Sequence, residues 1–274
     1  NMSGFKAKSK SYNSITLQWN KNTSATGYEL QKWNGKKWVA LAKITKNSTT
    51  TYTVKSLKAS TTYKYRIRAY KTIGKATQYS GYKELSVNTN PSNMSGFKAK
   101  SKSYNSITLQ WNKNTSATGY ELQKWNGKKW VALTKITKNS TTTYTVKSLK
   151  ASSTYKYRIR AYKTIGKATQ YSRYKELSVN TNPSNMSGFK AKSTAKTSVT
   201  LQWKKNTSAT GYEIQKWNGK KWVSAAKVTR NSTVTSTVKN LKKNTSYKFR
   251  IRAYKTIGKA TQYSSWSGTL TVRT

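Results

Sequence analysis

The chain has 274 residues, with 54 Lys and Arg against five acidic residues, all of them Glu, and it contains neither Cys nor His. That composition excludes a disulfide framework, thiolate chemistry, Cys/His zinc sites and any catalytic relay built on imidazole. No apolar run approaches the ~20 residues of a membrane-spanning helix.

A long internal period organises everything else. NMSGFKAKSK begins at Asn1 and again at Asn93, and NMSGFKAKST begins at Asn185. The first two copies differ only at Ala42/Thr134, Thr61/Ser153 and Gly81/Arg173. A fixed period of this length marks a modular array, and the expected domains are 1–90, 91–182 and 183–274. Each is long enough for one small core. Hydrophobic content is only 34%, and charge is high, a combination that disordered chains share. Ten Trp and twenty Tyr set among β-branched runs argue for folded modules instead.

In chain order, the first copy opens with a strand around Phe5 and Ala7. Ile15, Leu17 and Trp19 alternate with Thr16 and Gln18 as a half-buried second strand. Tyr28 and Leu30 begin a third, and the Asn34-Gly35 pair predicts a type I′ hairpin into a fourth strand through Trp38 and Val39. Tyr52 and Val54 lie on the next strand. Tyr63, Tyr65, Ile67 and Ala69 then alternate with Lys64, Arg66, Arg68 and Tyr70, and Leu85 and Val87 mark the last strand. The pattern predicts an all-β sandwich of seven short strands with no helix.

These residues resemble the fibronectin type III domain. Trp19 on the second strand, Tyr28 on the third, and Leu57 followed by Tyr63 carry the likeness. They recur as Trp111, Tyr120, Leu149 and Tyr155 and as Trp203, Tyr212, Leu241 and Tyr247. The Leu–Tyr pair is similar to that fold's tyrosine corner, which implies a Tyr hydroxyl tied to nearby backbone. The resemblance implies three tandem immunoglobulin-like sandwiches, and the Lys-rich modules are also similar to repeats on surface proteins of Gram-positive bacteria. It identifies no function, because the fold serves adhesion modules, spacers and receptors alike.

The links Thr89-Asn90-Pro91-Ser92 and Thr181-Asn182-Pro183-Ser184 contain the only two prolines. A short link with a locked φ restricts a hinge, so the array is expected to be an extended rod on the order of 100 Å long. Asn1 is not an initiator Met, which suggests a mature piece or a fragment of a longer protein.

The glutamates Glu29, Glu84, Glu121, Glu176 and Glu213 read as surface partners for Arg66, Arg68 and their counterparts, and the third copy retains only Glu213. General acid–base catalysis needs two tuned groups facing one substrate, so no enzyme, cofactor or metal site is expected. Strand parity instead gathers an outward face of Trp33, Lys36, Trp38, Lys64, Arg66, Arg68 and Tyr70. It repeats as Trp125, Lys128, Trp130, Arg158 and Arg160 and as Trp217, Lys220, Trp222, Arg250 and Arg252. Cations beside aromatic rings suit anionic polymers: teichoic acid, acidic polysaccharide, glycosaminoglycan or extracellular DNA. The competing reading is surface packing, with Arg and Lys stems covering the Trp rings.

Lys outnumbers Arg 45 to 9, which favours diffuse, salt-sensitive association over base readout. No groove-reading helix is expected, so sequence-specific nucleic-acid binding is not. The expectation is therefore an extracellular, secreted or cell-surface stalk with structural and adhesive roles. Its alternatives are a carbohydrate-binding accessory region of a larger glycan-degrading enzyme, or a subunit of an extracellular filament that self-associates or binds a protein partner.

Overall fold

A computed structural model describes all residues, 1–274. No helix is long and apolar enough to cross a membrane. By its contacts the chain divides into two compact units, and the boundary runs through the middle repeat. Asn1–Phe97, Trp111–Thr142 and Arg158–Glu176 form one unit; Lys98–Gln110, Thr143–Tyr157 and Leu177–Thr274 form the other.

The first repeat holds eight strand segments: β1 (Lys6–Lys10), β2 (Ile15–Gln18), β3 (Gly27–Trp33), β4 (Trp38–Ile44), β5 (Thr51–Val54), β6 (Thr62–Ile73), β7 (Ala76–Tyr79) and β8 (Lys83–Asn88). They form a three-stranded sheet, β1-β2-β5, and a larger antiparallel sheet, β4-β3-β6, in which β6 pairs with both β7 and β8. β8 is the expected last strand through Leu85 and Val87, and β7 is an additional short strand before it. β6 is long enough to pair with β7 over Tyr70–Ile73 and with β8 over Thr62–Ile67, and Ser80–Tyr82 leave the ladder between them. The third repeat has the same plan, from a first strand at Lys190–Ala195 to a last at Leu270–Arg273.

Period-two alternation decides the core. Ile15, Leu17, Trp19, Tyr28, Leu30, Tyr65, Ile67 and Ala69 cluster between the sheets of the first repeat. Val199, Leu201, Trp203, Tyr212, Ile214, Phe249, Ile251 and Ala253 do so in the third. Trp19 meets Tyr28 edge-on at 5.4 Å between ring centroids, a favourable arrangement of ring quadrupoles. Tyr28 is more than a core hydrophobe. Its hydroxyl accepts from the Asn22 N–H (2.9 Å) and donates to the Asn47 carbonyl (3.0 Å), tying two loops to β3. Tyr120 and Tyr212 make the same pair of bonds.

The Tyr63 hydroxyl accepts from the Lys58 N–H at 2.8 Å, directly after Leu57. Tyr155 and Tyr247 receive the N–H of Lys150 and Lys242 at 2.7 and 2.8 Å. The hairpin departs from expectation. Asn34 does not adopt the positive φ that a type I′ turn requires, and only Gly35 does, at 102°. The loop runs over four residues, closed by Asn34 N–H to Lys37 O (3.1 Å). The Asn34 side chain accepts from the N–H groups of Lys36 and Lys37 (both 2.9 Å), so it shapes the turn by hydrogen bonding rather than by a left-handed backbone.

Both links are bonded into their surroundings. Buried Thr89 donates its hydroxyl to Lys58 O at 2.7 Å, and Asn90 N–H reaches Ser11 O at 3.0 Å. Ser92 N–H donates to Ser116 Oγ at 2.9 Å, while Ser60 Oγ donates to Ser116 O at 2.6 Å. The second link repeats this with Ser184, Ser208 and Ser152.

Tyr63 and Tyr65 offer opposite tests. The buried Tyr65 hydroxyl has no partner, and burial raises its pKa well above the ordinary tyrosine range. The third repeat has Phe249 at the equivalent position. Tyr65→Phe should therefore be neutral or stabilising. Tyr63→Phe should destabilise its module by about 0.5–1.5 kcal/mol, because it removes the net contribution of the bond from the Lys58 N–H. Denaturant unfolding of both variants checks the contrast; equal effects would mean the Tyr63 bond contributes nothing.

Candidate ligand-binding faces

The outward residues of β6 lie opposite polar residues of β3: Arg66 pairs in register with Gln31, and Arg68 with Glu29. Arg66 Nε donates to Gln31 Oε1 at 2.7 Å. Arg68 donates to one oxygen of Glu29 from Nε (2.9 Å) and from Nη2 (2.7 Å). Both guanidinium groups are also enclosed by rings. Arg66 lies 4.7 Å from the centroid of Trp38 and 3.8 Å from that of Tyr82. Arg68 lies 4.8 Å from Tyr82 and 3.6 Å from Tyr79. The result is an alternating stack: Trp38, Arg66, Tyr82, Arg68, Tyr79. Trp33 completes it, edge-on to Trp38 at 5.5 Å.

The other repeats build the same stack. Arg158 sits between Trp130 and Tyr174, and Arg160 between Tyr174 and Tyr171. Arg250 and Arg252 share Trp266, with Trp222 and Tyr263 outside them. Burial, with the nearby Arg252 charge, lowers the pKa of Arg250. Trp125 and Trp217 meet Trp130 and Trp222 edge-on.

The structure thus brings Trp33, Trp38, Arg66 and Arg68 together, as parity predicts, but engages the two guanidiniums within the stack. Lys36 and Lys64 are exposed, as are Lys128 and Lys220. Tyr70, expected on the solvent-facing patch, is only 4% exposed. It lies opposite Gly27, where an added Cβ would sit 1.9 Å from the Ile44 carbonyl oxygen and 2.8 Å from the Tyr70 hydroxyl. A missing side chain on β3 makes the space that Tyr70 fills. The shared central ring, Tyr82, Tyr174 or Trp266, was not apparent from alternation because it sits in the gap between strands. The recurrence of an aromatic there in all three copies is its only sequence signal.

A second feature gathers other residues. At one end of the first sandwich a groove of about 690 Å3 is lined by Lys32, Trp33, Lys58, Thr62, Tyr63 and Lys64, among others, with no carboxylate. The core-facing side of β3 runs out at Lys32, whose Nζ lies 4.6 Å from the Tyr63 ring centroid. Ammonium groups and two aromatic faces here line open space, which suits an anionic chain carrying sugars or bases.

Two sheets, a tyrosine hydroxyl held by the residue after Leu57, and an Arg–aromatic stack on the larger sheet define an immunoglobulin-like sandwich module. Residues 2–82, 90–176 and 182–269 each match the fibronectin type III domain, and the chain belongs to that family. Exoglucanase B of Cellulomonas fimi is 25% identical over 271 residues, covering 91% of this chain; the chain spans 23% of that enzyme's length. Among solved structures, the FN1–FN3 domains of chicken CNTN1 are 18% identical, covering 100% of this chain and 98% of theirs, with a TM-score of 0.37. A two-domain fibronectin type III segment of chicken tenascin is 16% identical over 67% of this chain and all of its own, with a TM-score of 0.43.

Because Arg66 is held by two rings and Gln31, Arg66→Ala should destabilise the first module by about 1–2 kcal/mol. Thermal unfolding measures it; an unchanged midpoint would show the stack to be incidental.

Proposed function

We propose that this chain is a non-catalytic, extracellular stalk of repeated basic modules that holds anionic polymers by its lysines. The observation carrying this reading is the disposition of charge. The three salt bridges are Arg68–Glu29, Arg160–Glu121 and Arg252–Glu213. Glu84 and Glu176 are exposed and stand outside them, and the chain has 45 lysines against five carboxylates. A surface so one-sided attracts polyanions and releases their counterions on contact. Lys presents a hydrated point charge with no fixed fork, so it supports diffuse association along a polymer rather than recognition of one sequence. In this reading Trp33, Tyr63 and the lysines around their groove are the sugar- or base-stacking element, and the six stacked arginines are architectural.

A second reading has one specific observation behind it. The match to an exoglucanase supports an accessory region attached to a secreted glycan-degrading enzyme, with the same groove meeting a polysaccharide. Neutral and acidic glycans separate the two: retention on insoluble neutral glycan that salt does not weaken favours the accessory role.

The test is a salt titration of the whole chain against heparin, polyphosphate and double-stranded DNA. Affinity should fall several hundred-fold between 50 and 200 mM salt if about five anionic groups are engaged. Replacing Trp33, Trp125 and Trp217 by Ala should weaken binding to heparin by about 5–10-fold while leaving polyphosphate, which offers no ring, and the duplex, whose base faces are stacked inside, within about twofold. An absence of binding to all three at physiological salt would end the polyanion reading.

A further inference from the structure

The first two copies differ at three positions, and only one difference adds a charge: Gly81 in the first copy is Arg173 in the second, and Ser265 in the third. An added Cβ at Gly81 would meet nothing within 4 Å, so packing does not call for a long side chain at this place in the module. Arg173 is also unlike Arg66, Arg68, Arg158 and Arg160. It is exposed and takes part in no aromatic stack or salt bridge; its backbone N–H donates to Asn93 Oδ1 at 3.4 Å. Its surroundings give it a role.

Arg173 lines a cleft of about 280 Å3 where the first link meets the second repeat, inside the first compact unit. The cleft is also lined by Lys10, Tyr12, Asn90, Asn93 and Ser172. Lys10 enters with its position set, because its Nζ donates to Gln170 Oε1 at 2.5 Å, and Gln170 is itself buried. Tyr12 is one of few large aromatics left exposed, at 38%. The Asn90 N–H and side-chain amide are bonded to Ser11 O and Lys10 O, which fixes the floor. Two cations, one free ring, and amide and hydroxyl groups thus converge on a space the size of a single sugar.

We propose that this cleft binds one acidic sugar unit of a polysaccharide, a ring bearing a carboxylate, sulfate or phosphate. Arg173 and Lys10 hold the oxyanion, Tyr12 lies against the ring face, and the Asn and Ser groups meet hydroxyls. The inference rests on the polyanion reading above and adds a discrete site to it. The second link is a built-in control. It has Lys102, bonded to Gln262, with Tyr104, Asn182 and Asn185, but Ser265 stands where the arginine would be. It therefore lacks the second cation, and the chain should hold one such site rather than two.

Calorimetric titration of the full chain at physiological salt with a short oligomer of glucuronate, a heparin tetrasaccharide, and neutral cellotriose tests this. One acidic oligosaccharide per chain should bind in a tight phase that depends on Arg173, distinct from weaker, salt-labile binding at the lysine-lined grooves, and cellotriose should not compete. Arg173→Ser, which copies the second link, should lower affinity at least tenfold, whereas Arg230→Ser, the same loss of charge at an exposed position elsewhere, should change it less than twofold. Ser265→Arg should raise the stoichiometry from one to two. Tyr12→Ala should weaken the oligosaccharides but not inorganic sulfate. Equal effects of Arg173→Ser and Arg230→Ser, or displacement of the sugar only by DNA, would overturn the site while leaving diffuse polymer binding intact. Failure of both the oligosaccharides and heparin polymer to bind would instead remove the polyanion reading itself.

Discussion

Placing two guanidinium groups per module on the open face of a half-buried sheet is the constraint around which the rest is arranged. β6 must bury Tyr65, Ile67 and Ala69 to make the core, and alternation then forces Arg66 and Arg68 outward, side by side. In a chain of net charge +49, adjacent cations repel unless something lies between them. The rings of Trp38, Tyr82 and Tyr79 separate and cover them, while Gln31 and Glu29 satisfy the N–H groups in the sheet plane. Cation–π attraction and ion pairing act on the same groups from perpendicular directions, so neither need be strong alone. This also accounts for where the acid is used: the one carboxylate present in all three copies is the one on β3 facing the second arginine.

With six of the nine arginines held in the stacks, most of the chain's external charge is carried by its lysines. That separation has a functional consequence. Arg in the stacks is fixed and partly desolvated, whereas exposed ammonium groups remain hydrated; under the proposed polyanion reading the latter are the groups that exchange counterions. Of the three arginines outside the stacks, Arg173, Arg230 and Arg273, Arg173 is informative because it stands beside a cleft. Broad attraction by many lysines and selection by one arginine would act in sequence, the first raising local concentration and the second choosing among what arrives.

The three copies serve as substitutions already made. Phe249 in place of Tyr65 shows that the fold does without a buried hydroxyl that has no partner. Trp266 in place of Tyr82 shows that the central stack position asks for a flat ring, not for a phenol. Asn240 and Asn244 replace Ser56 and Ser60, all four in the left-handed region, where Asn is better accommodated than Ser. Each exchange keeps the physical requirement and changes the residue that meets it.

The repeat, the all-β class and the tyrosine pair after Leu57 were legible in the residues, because they rest on local signals: periodicity of two, β-branched and aromatic content, and a fixed offset along the chain. The membership of Trp33, Trp38, Arg66 and Arg68 in one face followed from parity alone. What parity could not carry was anything that crossed a gap in the ladder. Tyr82 lies outside any strand yet completes the stack; Tyr70 turns out covered because Gly27 leaves room for it; Asn34 shapes its turn through its amide rather than its backbone. The cleft beside Arg173 joins residues that lie far apart in sequence. Alternation says which way a side chain points within one strand. Only the packed structure decides what stands opposite it, and therefore whether a cation on the surface is bound to its neighbours or left for a ligand.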